Sequence, residues 1–151
     1  MTCDAGTSAI SSAKGEVIVY ADNEADARNT LARCLVSGGK LTDAQSEIVR
    51  AEKIAVQDRA IRISLAITGA RIKARNGKIE EAQGDLNSQL KEAKARNLVG
   101  LQFEARLALA EIENASDLKS KGAQLAALKQ DAKNSGYLLV AGKAERLKTS
   151  P

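Results

Sequence analysis

Apolar residues recur along this chain at spacings of three and four. Leu31 and Leu35 form one stripe. Leu41, Ala44, Ile48, Ala51 and Ala55 form the next, and Ile61, Leu65 and Ile72 a third. That period turns one face of a helix toward a core. The residues between them are Ala, Arg, Lys, Glu and Gln, all strong helix formers, and the only proline is Pro151. The sole strand-like run, Val17-Ile18-Val19-Tyr20, is too short and isolated to found a sheet. The pattern predicts helices over about 8–20, 23–37, 41–56, 58–75, 78–96, 98–115, 118–134 and 137–148.

Turn signals separate these helices. Gly38-Gly39, Asn76-Gly77 and Asn134-Ser135-Gly136 are strong. Gln57-Asp58, Asn97 and Ser116-Asp117 are weaker. Gly39 and Gly77 sit where a helix ends and positive φ is needed. Thr42 and Gln45 have the spacing of a capping box. The breaks repeat: 77 − 39 = 38 residues, then 116 − 77 = 39 to Ser116. Short links make antiparallel neighbours, and a repeat of two helices is the mark of an α-solenoid.

The residues of the first unit resemble the tetratricopeptide repeat family. Leu31-Ala32 fits the large-small pair of its helix A, Gly39 the turn, and Ala44, Ile48 and Ala51 the small-large-small series of helix B. In the second unit Ala70, Gly77, Ile79, Ala82 and Leu86 match. Gly69, however, replaces a large residue, and Lys73 stands where an apolar one belongs. The third matches loosely through Ala105, Ala108, Leu109, Ile112, Leu118 and Leu125. The chain lacks the family's closing proline, and its period exceeds the usual figure of about 34. The wording of these segments is also similar to the C-terminal repeat tails of bacterial multidomain signalling proteins.

The resemblance implies an all-α, right-handed αα-hairpin solenoid. About three hairpins would span 23–151, with a cap at 137–148 that offers Tyr137, Leu138, Val140 and Ala141 to the preceding hairpin and turns Lys143 to water. Residues 1–22 are left as an N-terminal segment or partial helix. Its Ile10, Val17, Ile18, Val19 and Tyr20 lack a partner, which suggests self-association or a chain cut from a longer one.

Composition narrows the chemistry. The 151 residues include no His, two Cys (Cys3 and Cys34) and three aromatics (Tyr20, Tyr137 and Phe103). His-based acid–base catalysis, His-ligated metals and a four-Cys zinc site are excluded. So are aromatic platforms for single-stranded nucleic acid. The 23 basic and 19 acidic residues are interspersed, as on solvated helix faces. Nucleic acid is therefore not the expected partner, although a basic helical nucleic-acid binder is retained as a third reading. Ile61 to Ile72 is too short and too charged for a membrane span, and the N-terminus lacks the pattern of a signal peptide. Together with the sparse cysteines, these features predict a cytoplasmic chain without cofactor or metal.

Local motifs read blandly. Gly38-Gly39-Lys40-Leu41-Thr42 lacks the first glycine of a phosphate loop. Asp22, Glu24 and Asp26 read as an acidic helix N-terminus rather than a calcium loop. The remaining candidate is a groove. The family's inner-face positions correspond here to Asn29, Arg33 and Ser37, to Ser64, Thr68, Arg71 and Arg75, and to Phe103, Arg106, Ala110 and Asn114. The resemblance implies a non-enzymatic scaffold that takes a peptide or protein segment, acidic by the chemistry of arginine, with Phe103 as an apolar anchor and Glu113 as the opposing charge. The alternative is surface arginines paired with neighbouring acids. At the level of the whole chain, the second reading is a regulatory or sensor tail of a signalling protein with no activity of its own.

Overall fold

The computed structural model describes residues 14–112 and 118–149. Among them are seven α-helices and no strand: α1 Lys14–Ser37, α2 Leu41–Glu52, α3 Arg59–Arg75, α4 Ile79–Ala95, α5 Val99–Ile112, α6 Leu118–Asn134 and α7 Leu138–Thr149. Ser116, Asn114 and Glu113, and the cysteine at position 3, lie outside the described residues.

Four of the turns are built alike. At Gly39, Gly77 and Gly136 φ is +74°, +84° and +80°, and at Asn97 it is +55°. In each case the next residue's N–H reaches back to the fifth carbonyl before it. The pairs are Lys40 to Leu35, Lys78 to Lys73, Leu98 to Ala93 and Tyr137 to Ala132, at 2.8–3.0 Å. This is the Schellman closure, which satisfies helix-end carbonyls and needs one left-handed residue. Asparagine tolerates that conformation, so Asn97 does the work of a glycine.

Three expectations are corrected. The capping box at Thr42 and Gln45 does not form. The Schellman turn runs straight into α2, so Lys40 is the N-cap and makes no side-chain cap bond. Thr42 is already inside the helix, where its carbonyl accepts from the Ser46 hydroxyl at 3.1 Å. The side-chain cap belongs instead to α3, where Asp58 accepts from the N–H groups of Ala60 and Ile61 at 2.6 and 3.2 Å. The helices expected over 8–20 and 23–37 are joined in α1, because nothing between Lys14 and Ser37 breaks the backbone. Asp22, Glu24 and Asp26 therefore lie mid-helix and complement no N-terminus. Asp22 accepts from the backbone N–H groups of Gln57 and Asp58, tying the α2–α3 link to α1.

Packing follows small residues. Ala32, Ala44 and Ala51 are fully buried and, with Ala25, Val36, Ile48, Leu65 and Ile72, form one cluster shared by α1, α2 and α3. Ile63, Ile67 and Ala70 of α3 face a second cluster with Ala82, Leu86, Ala105 and Ala108. Phe103, Leu107 and Ala110 of α5 face a third, with Leu125, Leu128, Ala141 and Ala144. Thus α3 and α5 each bury two faces. The α-carbon of Gly69 lies against Ile48, whose methyl would stand in ordinary contact, 3.8 Å from an added Cβ. Lys73 is accommodated as an ion pair, 2.6 Å from Asp85 on α4. The hydrogen bond to Asp85 raises its pKa, against the opposing effect of burial.

The contacts run in order. Among the described residues α1 touches α3, α3 touches α5 and α5 touches α7, while α2, α4 and α6 each touch only the helices before and after them. The odd-numbered helices therefore stand side by side.

Ala44→Arg should lower stability by about 3 kcal/mol or more, since a guanidinium would enter a seam with room for one methyl group. Chemical denaturation of the variant against the parent checks this.

Candidate functional site

The side-by-side odd helices bring several stripes together. Arg33 and Ser37 stand one turn apart on α1. Thr68, Arg71 and Arg75 climb α3, Glu104, Leu107 and Glu111 climb α5, and Lys143 and Leu147 climb α7. These residues border two adjoining cavities. The first, of about 420 Å³, includes Arg33, Ser37, Thr68, Arg71, Arg75, Glu111, Lys143 and Leu147. The second, of about 430 Å³, shares Arg33, Arg71 and Lys143 and adds Glu104, Leu107, Tyr137, Leu138 and Leu139. The shared cations make one continuous cleft.

The cleft is basic but not bare. Arg33 Nη2 lies 3.1 Å from Glu104 Oε1, joining α1 to α5. Arg71 Nε lies 2.9 Å from Glu111 Oε2, joining α3 to α5. Each pair uses one guanidinium nitrogen, which leaves further donors on both arginines. Among the described residues Arg75 and Lys143 make no ion pair. Among the described residues, four cations therefore face two carboxylates. The opposing acids among the described residues are Glu104 and Glu111; Glu113, expected in that role, lies outside them.

Not every expected groove residue is here. Asn29 is 1% exposed and lies in the α1–α3 interface. Its Nδ2 donates to Ser64 Oγ at 2.8 Å, and its Oδ1 accepts from the Thr68 hydroxyl at 2.7 Å. Asn29 and Ser64 thus fix helix register, and Thr68 reaches the cleft only from beneath. Phe103 is 5% exposed and belongs to the third core cluster, so it offers no open anchor. Arg106 stacks on the Phe103 ring, 5.7 Å from its centroid, and pairs with Asp131 at 2.8 Å. Phe103 and Arg106 line neither cavity. Ala110 is buried.

The start of α7 is the part that sequence reasoning missed. Tyr137 tilts against Phe103, ring centroids 5.1 Å apart, and lies over Gly100, where a Cβ would come within 3.2 Å of the ring. With Tyr137 held there, Leu138 and Leu139 emerge 68% and 85% exposed. Of the residues expected to pack against the preceding hairpin, Tyr137, Val140 and Ala141 do so, joined by Ala144 and Leu147, whereas Leu138 is left exposed. Lys143 was read as merely solvated, yet it borders both cavities. The available signal was the helical spacing of Leu139 and Lys143, which puts both on one side of α7.

No group of three His, Cys, Asp or Glu that could hold a metal exists among the described residues. None of their helices is long and apolar enough to cross a membrane. Cys34 is a half-buried free thiol. In comparisons with known proteins, no family model, curated protein or solved structure matches the chain.

Asn29→Ala should cost about 1–3 kcal/mol, because it strips hydrogen-bond partners from Ser64 and from buried Thr68. Urea denaturation measures the loss.

Proposed function

We propose that this chain is a non-enzymatic protein-interaction module that takes an acidic peptide or protein segment. In this reading the helices form a short tetratricopeptide-like solenoid, and the succession α1, α3, α5, α7 is its inner face. The observation that carries the proposal is the convergence of Arg33, Arg71, Arg75 and Lys143 on one cleft where, among the described residues, Glu104 and Glu111 are the acids that oppose them. A cleft concentrates the field of its charges and favours a ligand of opposite sign. Guanidinium groups with spare donors bind carboxylates with directed hydrogen bonds. The repeat resemblance in the sequence supports the same use, as does the absence of histidine for acid–base work. The reading takes the chain to act in the cytoplasm, as its sparse cysteines suggest.

The test uses a labelled peptide rich in Asp and Glu and follows fluorescence anisotropy. Arg75→Glu combined with Lys143→Glu should weaken binding by more than about tenfold and leave the helical signal intact, since neither side chain holds the fold through an ion pair among the described residues. Binding of the parent chain should also fall as salt rises. Failure of every acidic peptide to bind, or an unchanged affinity in the double variant, would remove the proposal.

A further inference from the structure

The geometry points to a ligand that is not simply acidic: we infer that the cleft takes a segment in which bulky apolar side chains adjoin a run of carboxylates. This rests on the acidic-segment reading above and names the ligand more closely. Its ground is the continuity of the two cavities. Arg33, Arg71 and Lys143 are common to both. On one side of them lies Arg75. On the other lies the ledge of Tyr137, Leu138 and Leu139.

Leu138 and Leu139 are the two most exposed large apolar residues among those described. Exposed leucines grouped beside a cleft mark an interaction surface, whereas scattered ones need no explanation. Here they are grouped, and their position is set from below by Tyr137 on Phe103 and Gly100. A ligand lying along the cleft meets apolar surface first and cations next. Its own order must match, with apolar residues against α7 and carboxylates reaching Arg33, Arg71 and then Arg75.

The shape decides against a bilayer. The Arg71 side chain is only 17% exposed, recessed within the cleft, where a flat surface of headgroups does not reach. A second copy of the chain is disfavoured by charge, since the cleft's excess of cations would face the same excess across a symmetric contact.

The experiment uses the full chain and three labelled peptides of equal length. One carries two adjacent leucines followed by Asp and Glu, the second has serines for the leucines, and the third keeps the leucines with Gln for the acids. The parent chain should bind the first about tenfold more tightly than the second, the worth of roughly one buried leucine. Leu138→Ser with Leu139→Ser should remove that advantage and leave the serine peptide's affinity unchanged. Both leucines are exposed, so the variant should fold. If the first two peptides bind equally, or the variant weakens both alike, this inference fails while the acidic-segment reading stands. If neither acidic peptide binds, both fail. If the third binds as well as the first, the carboxylates are irrelevant and both fail again. Sedimentation of the parent chain and its binding to phosphatidylserine vesicles complete the test. A dimer or vesicle complex lost in the leucine variant, with peptide affinities unchanged, would reassign the ledge and overturn the inference.

Discussion

Helices α3 and α5 have to bury two opposite faces at once. Ile63, Ile67 and Ala70 look one way from α3, and Leu65 and Ile72 look the other. Ala105 and Ala108 do the same for α5 against Phe103, Leu107 and Ala110. A helix about 10 Å across can meet that demand only if its neighbours come close on both sides. Alanines at Ala32, Ala44, Ala70, Ala82, Ala105 and Ala108 permit the approach, and each is essentially inaccessible to solvent. The order of contacts follows, because a helix with two apolar faces must sit between two others.

The same constraint makes the cleft. Once two faces of α3 are buried, little of its circumference remains for polar residues. Ser64, Thr68, Arg71 and Arg75 occupy that strip, and Glu104 and Glu111 occupy the corresponding strip of α5. Placing the odd helices side by side sets these strips edge to edge. Arg33 can then reach Glu104 across 71 residues of sequence, and Arg71 can reach Glu111. The pairs are partly exposed and contribute little stability individually. Their consequence is electrostatic: they hold two guanidiniums over the cleft without saturating them.

Much of the architecture was legible from residue type and spacing. Glycine at positions 39 and 77 announced left-handed turns, and both have positive φ. Alanine at 32, 44 and 51 announced close seams, and all three are buried. The family resemblance sets Arg33, Arg71, Arg75 and Arg106 on one side; one cavity collects the first three and leaves out Arg106. What misled was context beyond the local window. Thr42 looks like a cap until the preceding turn consumes the cap position. Asn29 looks like a groove residue until Ser64 and Thr68 are found beneath it. Phe103 looks like an anchor until Tyr137 covers it.

Local chemistry alone therefore accounts for the helices, their ends and their apolar stripes, since these depend on neighbours within a turn or two of the chain. It also accounts for the arginines carried by α1 and α3. Which polar residues face one another, which are entombed, and which leucines are left outside depends on pairings 35 to 71 residues apart. Those pairings exist only after the seams close. The ledge of Leu138 and Leu139 shows the division. Their apolar character is written in the chain, but their exposure beside a basic cleft arises because Tyr137 packs over Gly100 and turns the start of α7 outward.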